Sequence, residues 1–358
     1  MADRTHIEWT DATWNPITGC SVVSSGCTNC YAMRLAGTRL AHHPSRAGLT
    51  RDTKAGPVWT GEVRFNAHWL RQPLRWAKPR MIFVCAHGDL FHENVPDGWI
   101  DQVWAVMALA PWHVFQVLTK RAGRMRDYLN DPGQPARVAS LLDATKPRET
   151  WNGSVAPARE RLAAGPLPNV WAGVSVEDQR RAEERIGYLM IARAAVRWIS
   201  AEPLLGPVDL TRLDLPLQRP GPSASFNALT AVTRSPPLWP DRRVIEIEYK
   251  RLSPINWVVV GGESGPGARP MHLDWARSLR DQCAAAGVPF LFKQWGAYAW
   301  GEVVAGDTTT LTAYRCGKAA AGRVLDGVVH DAFPPRFLDG VTRDASATPC
   351  FAAGGRLT

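Results

Sequence analysis

Thr13-Trp-Asn-Pro-Ile-Thr-Gly-Cys20-Ser-Val-Val-Ser-Ser-Gly-Cys27-Thr-Asn-Cys30-Tyr31 carries three of the chain's seven cysteines within eleven residues, spaced C-x6-C-x2-C. A short β-like run, Ala12 to Ile17, precedes the group, and a helix-like run, Tyr31 to Leu40, follows it. The thiols therefore fall on a strand-to-helix loop. Gly19 and Gly26 each precede a cysteine, where a backbone that turns tightly around a bound object needs glycine's freedom. Clustered thiols of this kind serve a disulfide pair, a zinc site or an iron–sulfur cluster. The residues around the loop must separate these uses.

Outward from the loop, apolar β-rich runs recur, most of them followed by amphipathic helical runs. After Ala12 to Ile17 come Arg80-Met-Ile-Phe-Val-Cys-Ala86, Trp112-His-Val-Phe-Gln-Val-Leu118 and Asn169-Val-Trp-Ala-Gly-Val174. Val196-Arg-Trp-Ile-Ser200, Ile255-Asn-Trp-Val-Val-Val260 and Pro289-Phe-Leu-Phe-Lys293 complete the series. Near-continuous apolar strands are buried on both faces, which predicts a parallel sheet covered by helices. Ile100, Val103, Trp104 and Met107 form a helix face after Asp97, a predicted cap. Ser175-Val-Glu-Asp178 resembles a capping box opening the next helix. Trp275, Leu279 and Cys283 share a face that ends at Gly287, which makes Cys283 a core residue. Strand–helix alternation of this length predicts an α/β fold, a doubly wound sheet or a (β/α) barrel.

Each strand ends in polar residues: His87-Gly-Asp89, Thr119-Lys-Arg121, Ser175 with Glu177, Ser200 with Glu202, Gly261-Gly-Glu263, and Lys293-Gln-Trp295. In a barrel such ends converge on one mouth, where active sites lie.

Lys and Arg number 42 against 33 Asp and Glu, for a formal charge of +9, which favours an anionic partner such as nucleic acid. Most of the 16 tryptophans are expected to build core or pocket wall, with some left as candidates for stacking on bases. Met1 to Trp14 lacks a basic start with an apolar run, and no stretch of about 18 apolar residues exists. The expectation is a cytoplasmic chain with no membrane partner, in a reducing compartment where clustered cysteines bind metal. Residues 1–300 read as the barrel, with Pro-rich insertions at about 131–168 and 211–252. Within the second, Arg242 to Arg251 alternates as a short strand would, and the insertion reads as a flap near the mouth or a passive loop. Residues 301–358 read as a C-terminal extension with a disordered tail from about Ser346.

Three close cysteines leave one iron of a four-iron cluster without a protein ligand, and an open position is where an external ligand binds. The loop after strand one, its three cysteines and the serial strand-end polar groups resemble the radical SAM (S-adenosylmethionine) superfamily. More closely, the chain resembles a phage-associated three-cysteine-motif family of uncharacterised proteins. Thr13-Trp-Asn-Pro-Ile-Thr-Gly-Cys20, Cys27-Thr-Asn-Cys-Tyr31, Asp89-Leu-Phe-His92 and Val117-Leu-Thr-Lys-Arg121 carry that resemblance. So do Trp171-Ala-Gly-Val-Ser-Val176, Ser200-Ala-Glu-Pro-Leu-Leu-Gly206, Val260-Gly-Gly-Glu-Ser-Gly-Pro-Gly-Ala-Arg-Pro270, Phe292-Lys-Gln-Trp-Gly296 and Gly322-Arg-Val-Leu-Asp-Gly327. Two departures from the superfamily stand out: its spacing is C-x3-C-x2-C, and Asn29 stands where it has an aromatic residue.

The resemblance implies a partial (β/α) barrel of six to seven parallel strands. Cys20, Cys27 and Cys30 would bind a [4Fe-4S] cluster that cleaves S-adenosyl-L-methionine to a 5′-deoxyadenosyl radical. It further implies an electron donor such as flavodoxin or ferredoxin. Asp89 would accept the SAM amino group, Ser175 and Glu177 would touch the ribose, and Gly261, Gly262 and Glu263 would line the cofactor. Lys120, Arg121, Glu202, Arg269, Lys293 and Trp295 would contact substrate, which charge and tryptophan content suggest is DNA or RNA to be modified or repaired. A nucleoside or protein substrate remains open. So do two other readings: a zinc-binding nucleic-acid protein with His42, His43 or Cys85 as fourth ligand, and a metal-free barrel enzyme with structural cysteines.

Overall fold

The apolar runs become one parallel sheet: β1 (Ala12–Trp14), β2 (Met81–Val84), β3 (Val114–Thr119), β4 (Val170–Ser175), β5 (Val196–Ala201), β6 (Trp257–Gly261) and β7 (Phe290–Gln294). The computed structural model describes residues 5–146, 154–214, 225–233, 252–305 and 308–335. The strands lie in the sheet in the order of the sequence. A doubly wound sheet reverses its order and covers both faces with helices. With no reversal, successive crossovers coil the same way, and the sheet curls into a half-barrel.

The longer helices are α1 (Tyr31–Gly37), α2 (Asp97–Leu109), α3 (Ala122–Asn130), α4 (Gln134–Thr145), α5 (Ala156–Ala164), α6 (Gln179–Ile191) and α7 (Leu273–Ala286). Two capping expectations change in detail. Asp97 lies inside the first turn of α2, with Pro96 at the cap, and pairs instead with Arg124 Nη2 at 2.7 Å. Ser175 ends β4, and Asp178 is the cap of α6, accepting from Arg181 N at 2.9 Å. The register of the strand end, invisible locally, decides which polar residue meets the free N–H groups. Gly287 closes α7 in the left-handed conformation (φ 67°), and Cys283 is fully buried.

Outward-facing strand residues such as Ile82, Val117, Ala172, Ile199 and Val258 join the helices in the main core. The inward face carries a second core, in which Trp9, Trp171, Trp198 and Trp257 pack with Met81, Val114, Val196, Val259 and Leu291. These four tryptophans are at most 2% exposed, so they fill the barrel and cannot stack on bases. Gly173 makes room for them: a β-carbon there would lie 2.4 Å from the Trp198 indole. The filled interior leaves chemistry to the carboxyl ends of the strands.

Of the insertions, residues 134–145 and 156–164 are helical. The described part of 211–252 includes a small antiparallel sheet of Leu213–Asp214, Ser225–Asn227 and Val232–Thr233. The segment around it is wedged between α6 and α7, through Gln179 Nε2 to Arg212 O and Gln282 Nε2 to Val208 O. Arg242 to Arg251 and the tail from Ser346 lie outside the described residues. After β7 comes a hairpin of Tyr298–Ala305 and Thr308–Arg315, and the chain then returns to the barrel, where Trp257 Nε1 donates to Ala332 O at 2.9 Å. No described helix is long and apolar enough to cross a membrane.

Candidate functional site

β1 ends at Trp14, and the chain crosses to an antiparallel pairing of Ile17–Thr18 with Arg64–Phe65 before the thiols begin. The expected run from Ala12 to Ile17 is therefore two short strands. Gly19 sits at φ +97°, and a β-carbon on it would lie 2.1 Å from Glu62 O, so both backbone and space demand glycine. Gly19 N donates to His87 O at 3.2 Å and the residue bridges to Gly88. This ties the start of the cysteine loop to the end of β2.

Three strand-end carboxylates hold the loop from below. Glu177, beyond β4, is fully buried and accepts Ser24 Oγ at 2.8 Å, Arg185 Nη1 at 2.9 Å and the Lys120 ammonium. Burial opposes its ionisation, but Lys120 and Arg185 outweigh that and hold its carboxyl below the usual range. Glu263, beyond β6, accepts Asn29 Nδ2 at 2.9 Å and Arg269 Nη2 at 2.7 Å. It too is ionised below the usual range, against its burial, chiefly through Arg269 and Asn29. Arg269 also reaches Ser25 O at 3.0 Å. Asp89, beyond β2, accepts Thr119 Oγ1 at 2.6 Å, Phe91 N at 3.0 Å, Lys120 N at 3.1 Å and Arg121 Nη1 at 3.1 Å. Those four donors match the roughly four acceptor sites of a carboxylate.

The thiols follow. Cys27 is buried, and its sulfur lies 3.8 Å from Ser24 Oγ. Cys20 receives Arg121 Nη1 at 3.3 Å. Burial, reinforced by Asp89, pushes the Cys20 thiol up to about 12, with Arg121 opposing. Burial also raises Cys30. Cys20 and Cys30 pack on the small core of Ala32, Met33, Ala36, Leu49 and Trp59, which anchors α1 behind the loop. Tyr31 Oη donates to Ala86 O at 2.6 Å at the end of β2.

A second polar group lies further round the mouth. Lys293 Nζ stands 3.0 Å from Glu202 Oε1, while Trp9 Nε1 and Ser200 Oγ each donate to Glu202 Oε2 at 3.3 Å. A β-carbon on Gly261 would meet Glu202 Oε1 at 2.4 Å, and one on Gly262 would meet Trp295 O at 2.0 Å. These glycines therefore make room for the chain's own atoms. Trp295 gives its Nε1 to Val324 O at 2.8 Å and packs on Phe292. Ser175 is buried, and its carbonyl accepts Arg185 Nη1 at 2.7 Å.

The strand ends thus bring the sequence-predicted residues to one rim, but in pairs: Lys120 with Glu177, Arg121 with Asp89, Arg269 with Glu263, Lys293 with Glu202. The four cations expected to contact substrate are charge-compensated. Sequence reasoning missed Ser24, Asn29, Glu93 and Arg185. Asn29, between two cysteines, had a local signal; Arg185, on α6, had none.

The thiols of Cys20, Cys27 and Cys30 are free. Among the described residues no three His, Cys, Asp or Glu side chains converge closely enough to hold one metal ion. A [4Fe-4S] cluster takes each thiolate on a different iron, and Cys20, Cys27 and Cys30 are the three free thiols that this loop offers. Of the other zinc ligands considered, Cys85 is buried with its thiol pushed up to about 12 by burial, His42 is exposed, and His43 Nδ1 is bonded to Ser45 Oγ. No curated protein and no solved structure matches the chain. The model of one family, described as a protein of unknown function (DUF5131), matches residues 4–334, and the chain belongs to that family.

Proposed function

We propose that this is an iron–sulfur enzyme of the radical SAM type. One observation carries the reading: three free thiols share one loop at the carboxyl end of a sequential parallel half-barrel, clamped by Asp89, Glu177 and Glu263. Cys20, Cys27 and Cys30 would be the ligands of a [4Fe-4S] cluster. The chemistry such a group supplies when bound is a low-potential electron for reductive cleavage of the SAM sulfonium. Glu177 and Glu263 fix the loop on either side of Cys27, through Ser24 and Asn29. Asp89 fixes the Cys20 end through Arg121.

The carboxylate best placed to accept an amino group is Glu202. Its side chain is 13% exposed, against 6% for Asp89 and Glu263 and 0% for Glu177. Lys293 beside it supplies a cation for a carboxylate or phosphate. The substrate proposed is nucleic acid, on the formal charge of +9, with an electron donor such as flavodoxin or ferredoxin as partner. The internal pairing of the rim cations favours a second reading, a small substrate such as a nucleoside.

The test is anaerobic reconstitution with iron and sulfide, followed by a SAM-cleavage assay with DNA, RNA and nucleosides. A brown protein that loses most of its iron in Cys20→Ala, Cys27→Ala or Cys30→Ala, and keeps it in Cys283→Ala and Cys316→Ala, is the expected result. Colourless wild-type protein, or full iron in Cys27→Ala, would end the proposal.

A further inference from the structure

Arg121 caps α3 at the end of β3, where a substrate-facing cation was expected, yet its guanidinium turns inward. Nε donates to Glu93 Oε2 at 3.0 Å, Nη1 to Asp89 Oδ2 at 3.1 Å and to Cys20 Sγ at 3.3 Å, and Nη2 to Ser21 Oγ at 2.6 Å. Each nitrogen is engaged, and the side chain is 10% exposed. Asp89, itself held by Thr119 and two backbone N–H groups, sets the guanidinium plane. Ser21 is pinned in turn by His92 Nε2 at 3.0 Å and by Glu93 Oε1 at 3.0 Å. Among the described residues, Cys20 is the one thiol of the three that receives a hydrogen bond from a cationic side chain.

We infer that Arg121 is a positioning residue for the iron–sulfur group, donating an N–H···S hydrogen bond to the Cys20 thiolate and raising the reduction potential, rather than a contact for substrate. The inference rests on the iron–sulfur reading. Reduction adds negative charge to the cluster and its sulfurs. A fixed cation that donates to one of those sulfurs stabilises the reduced state more than the oxidised one. Outer hydrogen bonds of this kind tune metal centres generally. Arg suits the task because it stays charged at every working pH, and its planar fork can serve Asp89, Ser21 and the sulfur at once. Lys cannot span these partners.

Wild type, Arg121→Lys and Arg121→Gln are reconstituted anaerobically, iron per chain is measured, and each is titrated with dithionite while the reduced cluster is followed by electron paramagnetic resonance. Iron should stay with the chain. In Arg121→Gln the reduced-to-oxidised ratio at a fixed potential should fall about tenfold, which is about 59 mV for a one-electron couple. Arg121→Lys should fall between the two. A purely structural Arg121 would lower iron content or melting temperature and leave the midpoint where it was, so an unchanged midpoint in Arg121→Gln overturns the inference. If that variant holds no cluster, Arg121→Lys decides in the same way. Wild type without iron overturns the iron–sulfur reading itself, and this inference with it.

Discussion

Gly26 lies directly against Glu177: a β-carbon on residue 26 would stand 2.5 Å from both Cγ and Oε1 of that carboxylate. The cysteine loop and the end of β4 are therefore in van der Waals contact at a fully buried acid. Gly26→Ala must push the loop off Glu177, since the carboxylate is fixed by Lys120 and Arg185. Overpacking of this kind costs about 1–3 kcal/mol. The expected outcome is a lower urea midpoint together with faster reaction of the Cys27 thiol with a disulfide reagent. Unchanged thiol reactivity would separate the loop from Glu177.

Removing one partner of a buried ion pair leaves the others uncompensated, at about 3–5 kcal/mol. Glu177→Gln leaves Lys120 and Arg185 in that position and should be among the most destabilising conservative changes in the chain. Equilibrium denaturation measures it; a loss below about 1 kcal/mol would mean that water reaches the site.

Acid acts on the same groups. Glu177 and Glu263 titrate below their usual range, and Glu93 is drawn from 4.5 to about 2, against its partial burial, by its own backbone N–H and by Arg121. A carboxyl with a depressed folded pKa stabilises the fold above its unfolded pKa and loses that contribution as pH falls through the folded value. Stability should therefore hold at neutral pH and decline below about 4.5 toward 2. Glu177→Gln should flatten the decline in a series of urea midpoints against pH.

Glu202 and Asp89 make opposite predictions. Glu202→Gln should keep the fold and weaken SAM binding by about 1–3 kcal/mol, the value of a hydrogen bond to a charged group. Asp89→Asn removes the anchor of Thr119, Lys120 N and Arg121 and should lower stability first. Calorimetric titration of reconstituted protein, beside a melting curve, distinguishes them. Equal SAM affinity in Glu202→Gln and wild type would remove Glu202 from the site.

Gly173→Ala should disrupt the tryptophan-filled interior, because its β-carbon would collide with the Trp198 indole at 2.4 Å. About 1–3 kcal/mol is expected, and Trp257→Ala should cost about 3–5 kcal/mol by leaving a cavity. If both variants unfold at the wild-type denaturant concentration, the interior is not packed as described.

A nucleic-acid substrate should bind with an affinity that falls log-linearly with salt. A nucleoside, which carries no phosphate, should respond little. Filter binding of single- and double-stranded oligonucleotides from low to physiological salt discriminates the two, and no binding at low salt would leave the small-substrate reading.

The sequence by itself determined the strands, because apolar runs long enough to span a sheet and bounded by polar ends are a short-range signal. It determined the loop of Cys20, Cys27 and Cys30 between a strand and α1 for the same reason, and the buried Cys283 through helical spacing. What only the tertiary structure decided is the use of the polar ends. Lys120, Arg121, Arg269 and Lys293 read as substrate contacts because one-dimensional order places each next to a turn, not next to its carboxylate. Ser24 meets Glu177 across 153 positions and Asn29 meets Glu263 across 234, contacts that exist only once the half-barrel curls. Trp171, Trp198 and Trp257 read as buried strand residues, but only the fold shows that all three face the inside of the half-barrel and pack there with Trp9. Burial follows periodicity along the chain, whereas the pairing of charges depends on which strand ends the curvature of the half-barrel brings together.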